Sequence, residues 1–232
     1  MPVLWDKQRA TIVSNESADI LRMLNSGFVP LADEAVDLYP VHMRDAIDAL
    51  NARIYPSLNN GVYRTGFATT QAAYEEAFAD VFAMLEELEQ RLSDGRDFLF
   101  GAALTEADIR LFVTLVRFDP AYHGLFRANL RRLADYPQLS GYLRDLYQRP
   151  GIAGTVNLDH IKRGYYSIKA LNPTGIVPLG PELAWAAYAR PKTITRLDGL
   201  HAGFGRVRHA DDGLTNLRCL SMVTLSLPSK PS

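Results

Sequence analysis

Between residues 71 and 92 the apolar side chains Tyr74, Phe78, Val81, Phe82, Leu85, Leu88 and Leu92 recur at spacings of four and three. That is the spacing of one face of an α-helix. Met43, Ile47, Leu50 and Ile54 repeat it earlier, and Ile109, Phe112, Leu115 and Val116 repeat it later. Leu139, Leu143, Leu146 and Tyr147 form a further stripe. Together they predict a helical domain over residues 35–170, with polar loops such as Pro56-Ser57-Leu58-Asn59-Asn60-Gly61 between helices. Thr105-Glu106-Ala107-Asp108 reads as a capping box with Asp in place of Glu, and Leu104 and Ile109 are placed to act as a hydrophobic staple.

The two ends of the chain follow other patterns. Val3-Leu4-Trp5 and Thr11-Ile12-Val13 are rich in β-formers and flank the polar turn Asp6-Lys7-Gln8-Arg9, which predicts a hairpin. A helix follows, with Asn15 as its expected N-cap, Glu16 in its first turn and Gly27 as its stop. Ile20, Leu21 and Leu24 give that helix one apolar face. Past residue 170, Asn172 to Pro181 is a Pro/Gly-rich connector. Residues 186–232 hold no sustained period and are expected to be poorly ordered. The predicted fold is therefore mainly α: a β-β-α segment over 1–28, a helical domain over 35–170, and a connector with a divergent tail over 171–232.

Composition narrows the function. With 25 Lys+Arg against 26 Asp+Glu in 232 residues, the chain has no basic excess to attract nucleic acid. No apolar run approaches the roughly 20 residues of a membrane span, and Met1-Pro2-Val3-Leu4-Trp5-Asp6 lacks the features of a signal peptide. A single cysteine, Cys219, excludes an internal disulfide and a Cys-based zinc site. A reducing, cytoplasmic setting is expected. His42, His123, His160, His201 and His209 show no metal spacing, so no metal is expected. No Gly-x-Ser-x-Gly elbow and no Gly-rich phosphate loop is present.

Three features carry candidate chemistry. Glu16-Ser17 lies where a helix N-terminus offers free amides to a carboxylate, and Glu16 itself suits a ligand ammonium group. Plain helix capping accounts for the same pair. Tyr63, Tyr122 and Tyr165 stand in polar, loop-like contexts, where a phenol donates a hydrogen bond to a thiolate or passes a proton to a leaving oxygen. Rings that cap a helical core account for them equally well. Cys219, within Asn216-Leu217-Arg218-Cys219-Leu220, has only Arg218 to lower its pKa and reads as a bystander.

Taken in order, Pro2-Val3-Leu4-Trp5-Asp6, Asn15-Glu16-Ser17, Asn59-Asn60-Gly61-Val62-Tyr63, Gly66-Phe67-Ala68 and Thr105-Glu106-Ala107-Asp108 form a specific series. Arg117-Phe118-Asp119, Asp135-Tyr136-Pro137, Thr155-Val156-Asn157 and His160-Ile161-Lys162 continue it. The series resembles the glutathionyl-hydroquinone reductases, the Xi class of the glutathione transferase superfamily, over roughly residues 2–181. The resemblance implies a thioredoxin-like domain followed by an all-helical domain, a homodimer, and glutathione as co-substrate. The implied reaction is reduction of glutathionyl-hydroquinones through a cysteine nucleophile in a Cys-Pro-Trp motif. It places Glu16 and Ser17 on the γ-glutamyl end of glutathione. Tyr63 becomes the proton donor to the quinol, with Tyr122 and Tyr165 lining the site and favouring the thiolate.

The resemblance also puts the Cys-Pro-Trp motif upstream of the first strand, where this sequence has no residues. The expectation is an N-terminally truncated relative: a thioredoxin-like remnant, loosely held as a hairpin, on a sound helical domain. Lacking that nucleophile, the chain would be inactive or incomplete as a reductase. The alternatives are a non-catalytic binding or interaction module and a truncated gene product without an independent role.

Overall fold

The computed structural model describes residues 2–28 and 36–187, and they belong to two compact units. In the first, strands β1 (Leu4–Asp6) and β2 (Thr11–Ser14) pair antiparallel, with Trp5 opposite Ile12 and Asp6 opposite Thr11. The Asp6 carboxylate closes the turn by accepting from the Gln8 and Arg9 amides, at 2.8 and 3.0 Å. Those amides, Arg9's foremost, hold its pKa below the ordinary carboxylate value. Ala10 takes a left-handed φ of 50° to bring the chain back into β2.

Helix α1 (Ser17–Ser26) then begins one residue later than expected. Glu16, not Asn15, stands at the N-cap, and its side chain makes no capping bond. The reason is local: the Ser14 hydroxyl accepts the Glu16 amide at 3.1 Å, which holds the chain extended through Asn15. Gly27 ends α1 as predicted, its amide bonding to the Met23 carbonyl at 2.7 Å. Asn25 ties the segment after α1 back to it, donating to Asp37 and accepting from the Leu38 amide.

The second unit is helical: α2 (Arg44–Ile54), α3 (Gly61–Gly66), α4 (Gln71–Leu92), α5 (Glu106–Arg117), the one-turn α6 (His123–Leu125), α7 (Pro137–Tyr147), α8 (Leu158–Tyr166) and the short α9 (Ala184–Ala187). The sequence stripes become its core. Ile47, Leu50 and Ile54 of α2, Val81, Phe82, Leu85, Leu88 and Leu92 of α4, Leu115 and Val116 of α5, and Leu139, Leu143 and Leu146 of α7 are all buried. Asp108 is the polar pin of this core. Its fully buried carboxylate accepts from Thr105 N–H and Oγ1–H, the Leu99 amide and the Tyr142 hydroxyl, each at 2.8 or 2.9 Å. Four donors on one carboxylate offset the cost of burying it.

Two segments expected to be loops are helical. Tyr55–Asn59 and Phe118–Tyr122 are π-helical turns, each with a proline inside. Pro56 and Pro120 have no N–H to give an α-helical ladder, and their rings crowd the carbonyl four residues back. A single wider turn carries the chain past each proline without ending the helix. The Asn60 amide then reaches the Tyr55 carbonyl at 2.8 Å, and the His123 amide reaches Phe118.

Of the segment expected to be connector and tail, residues 171–187 are described. The Lys162 ammonium donates to the carbonyls of Leu179 and Gly180, and Trp185 is buried against the Tyr147 ring at 5.1 Å. Cys219 and the expected tail from 188 onward lie outside the described residues.

Candidate functional site

Tyr63, Tyr122 and Tyr165 come from three separate stretches of helix and meet at their hydroxyls. Tyr63 sits midway along α3, Tyr122 ends the second π-turn, and Tyr165 is the penultimate residue of α8. The Tyr165 oxygen lies 2.7 Å from that of Tyr63 and 2.8 Å from that of Tyr122. None of the three is in a loop, contrary to the reading from polar neighbours. Asn59 anchors the first turn, donating to Thr114 Oγ1 at 2.6 Å and to the Arg110 carbonyl at 3.1 Å on α5. In the second, Asp119 is buried and accepts from the Leu133 amide at 2.6 Å, while burial pushes its pKa up.

Behind the hydroxyls lies a ring packing centred on Phe126, which is fully buried. The rings of Tyr63, Tyr122, Tyr165 and Phe67 surround it with centroids 5.3 to 5.8 Å away. Gly66 makes this possible: a Cβ there would stand 2.5 Å from the Phe126 ring. Arg127, next along, takes a left-handed φ of 61° and donates to the Gly66 carbonyl at 3.0 Å. Its own carbonyl accepts the Tyr74 hydroxyl at 2.9 Å. Sequence reasoning missed Phe126, Gly66, Arg127 and Asn59. Only the glycine inside a helix left a signal that close approach was needed.

The hydroxyls can be counted. Three phenols carry three hydrogens, and their two mutual bonds use two. Tyr122 is 2% exposed, and its hydroxyl lies 2.8 Å from that of Tyr165. A buried donor takes a partner, so Tyr122 gives its hydrogen to Tyr165. One hydrogen then remains, on Tyr63 or on Tyr165, for an outside acceptor. Tyr63 is 37% exposed, so an acceptor can reach the trio from solvent. Burial raises the pKa of Tyr122 far above the ordinary phenol value, and the nearby Tyr165 and Tyr63 add to the shift. Burial likewise raises Tyr165, against the opposing effect of its hydrogen bond with Tyr122. Both stay protonated at neutral pH, so the trio is a donor set.

Glu16 and Ser17 lie together at the start of α1 in the first unit, both exposed, with the helix's free amides beside them. Among the described residues no group of three His, Cys, Asp or Glu side chains is placed to hold a metal, and no helix is long and apolar enough to cross a membrane.

The family described as glutathione S-transferase, C-terminal domain, matches residues 71–145. The chain is 56% identical over 182 residues to the glutathionyl-hydroquinone reductase YqjG of Escherichia coli K12, a match covering 78% of this chain and 55% of YqjG. It is equally identical to PcpF, the glutathionyl-hydroquinone reductase of Sphingobium chlorophenolicum, covering 58% of that relative. The chain thus spans a little over half the length of these curated relatives. Among solved structures, glutathione-bound YqjG superposes with a TM-score of 0.78 at 54% identity, over 80% of this chain and 60% of that one. The Xi glutathione transferase of Phanerochaete chrysosporium gives 0.75 at 50% identity, over 78% and 59%.

Proposed function

Because the chain belongs to the glutathionyl-hydroquinone reductases, the Xi class of glutathione transferases, we propose that it binds glutathionyl-hydroquinones and that its tyrosine trio serves their reduction. In that reaction a thiolate attacks the conjugate's sulfur. The aryl–sulfur bond breaks, a disulfide forms, and the reduced ring takes up a proton; a second glutathione then releases glutathione disulfide. The spare hydroxyl hydrogen of the trio carries this reading, because the departing aromatic fragment needs a proton. Tyr63, half open to solvent, is the donor to the quinol, while Tyr122 and Tyr165 line the site and favour a thiolate. Glu16 and Ser17 take the γ-glutamyl end of glutathione, the carboxylate facing the ammonium group and the helix amides facing the ligand carboxylate. In keeping with the family expectation, the working assembly is a homodimer and its setting is cytoplasmic.

One observation favours a second reading, a binding module without turnover: no cysteine occurs among the described residues, and Cys219 is the one thiol of the sequence. A single experiment tests both. The chain is mixed with glutathione and a glutathionyl-hydroquinone, with binding followed by calorimetry and hydroquinone release by chromatography. Stoichiometric binding that weakens in Tyr63→Phe is expected, and equal binding by the variant overturns the role given to the trio. Hydroquinone release that disappears in Cys219→Ser would assign the thiol step to that residue. Binding with no release supports the module.

A further inference from the structure

Helix α3, which carries Tyr63, is six residues long. Helices shorter than about 12 residues are marginal in water, so the place of α3 is set by what its ends are fastened to. At the far end Gly66 lies against Phe126, and Arg127 donates to the Gly66 carbonyl at 3.0 Å. One turn of contacts earlier, the Arg64 guanidinium reaches Glu76 and Asp80 on α4, at 2.7 and 2.8 Å. At the start, Gly61 runs so close to α4 that a Cβ would stand 3.0 Å from a Val81 methyl, and Asn59 ties the chain to α5.

The Asn59 contact is directional. Its side-chain nitrogen carries two hydrogens and gives one to the Arg110 carbonyl at 3.1 Å and one to Thr114 Oγ1 at 2.6 Å. Those acceptors stand one turn apart on α5, so sliding or turning the amide loses a bond. The link onward to Tyr63 is short. Asn60 follows directly, and its carbonyl accepts the amides of Tyr63 and Arg64 at 3.0 and 2.9 Å. A shift of residue 59 along α5 is thus passed to the Tyr63 backbone through one residue and one carbonyl. The trio is sensitive to it: the Tyr63 hydroxyl lies 2.7 Å from that of Tyr165, and a displacement of about half an ångström takes the pair out of hydrogen-bond range.

Resting on the reductase reading, we propose that Asn59 is the positioning residue of Tyr63. By clipping the start of α3 to Arg110 and Thr114, it sets where the Tyr63 hydroxyl meets the quinol oxygen of a glutathionyl-hydroquinone, without touching the ligand itself.

Two measurements on the full chain test this. Asn59→Asp keeps the size of the side chain and leaves it no hydrogen to give, while Thr114→Val keeps the shape and removes one acceptor. In the ligand-free protein carrying isotope-labelled tyrosine, the magnetic resonance signal of the Tyr63 ring is identified by its loss in Tyr63→Phe. It should move in both variants, while the signal of Tyr147, whose ring packs on Trp185, stays in place. In calorimetry, each variant should bind a glutathionyl-hydroquinone about three- to tenfold more weakly. Added to Tyr63→Phe, which already lacks the hydroxyl, neither change should weaken binding by more than about twofold further, whereas a merely structural role would give additive losses. A Tyr63 signal unmoved by both changes overturns the proposal, and so do additive losses of affinity. A moved signal with conjugate affinity untouched by Tyr63→Phe would refute the part given to Tyr63 in the reaction and leave Asn59 as the residue that places it.

Discussion

The Tyr122 hydroxyl gives its hydrogen to the Tyr165 hydroxyl 2.8 Å away, and this one bond orders the rest of the trio. Tyr165 has received a hydrogen, so it either passes its own to Tyr63 or turns it outward while accepting a second from Tyr63.

Tyr122→Phe and Tyr63→Phe should therefore behave differently. Removing the Tyr122 hydroxyl leaves two phenols, one mutual bond and still one spare hydrogen. Affinity for a glutathionyl-hydroquinone should change less than about twofold, at a stability cost of about 1 kcal/mol for the lost bond. Removing the Tyr63 hydroxyl takes away the accessible end, and affinity should fall about tenfold. Calorimetry with each variant and a urea melt separate the two effects.

Gly66→Ala should destabilise the helical unit by about 1–3 kcal/mol, the usual cost of forcing a methyl into a packed interior. The added Cβ would meet Phe126 at 2.5 Å, and that ring is fixed by four aromatic neighbours. A lower urea midpoint should come with a changed near-ultraviolet dichroism spectrum, since the tyrosines rest on Phe126. An unchanged midpoint would show that Phe126 can yield.

Asp108→Ala should be among the costlier single changes, about 3–5 kcal/mol. It strands two backbone amides and the Tyr142 and Thr105 hydroxyls in the interior. Tyr142→Phe removes one of those donors and should cost about 1–2 kcal/mol. Denaturant melts of both variants test the ranking, and equal losses would contradict it.

Stability should fall as the solution is made alkaline past pH 10. Burial raises the pKa of Tyr136 to about 12, with Glu86 adding to the shift, and it also raises Tyr122, Tyr142, Tyr165 and Tyr166. In the unfolded chain these phenols ionise near 10. Above that pH the folded state holds protons that the unfolded state has released, so rising pH favours unfolding. For Tyr136 the window runs from about 10 to about 12. Urea midpoints taken at pH 9 and 11 should differ, and Tyr136→Phe should reduce the difference. Equal midpoints in the parent chain would refute the assignment.

The helical unit was legible because its cause is periodic. Leu85, Leu88 and Leu92 face one another along α4 only if the chain is helical, and each helix writes that stripe into its own sequence. The opening hairpin and the Thr105–Asp108 start of α5 were legible for the same reason, each being settled within a few residues. Tyr63, Tyr122 and Tyr165 stood out one by one as polar-flanked aromatics, yet nothing local tells that they touch. Their meeting depends on Phe126 and Gly66, sixty residues apart in sequence and in contact in space. The π-turns were misread because Pro56 and Pro120 signal a break in an α-helix, and a single wider turn answers that signal without breaking the rod. For α1, the Ser14 hydroxyl accepts the Glu16 amide, and Glu16 stays extended at the N-cap instead of entering the helix.

The odd count of hydrogens in the trio has a mechanical consequence. The O–H bonds of Tyr63 and Tyr165 can rotate together so that the bond between them reverses, leaving the Tyr63 hydrogen free in one arrangement and the Tyr165 hydrogen free in the other, while every ring stays in place. A ligand that offers its acceptor at either oxygen is met by that oxygen's own O–H. The site can thus follow an acceptor that shifts position during a reaction, with no atom heavier than hydrogen having to move.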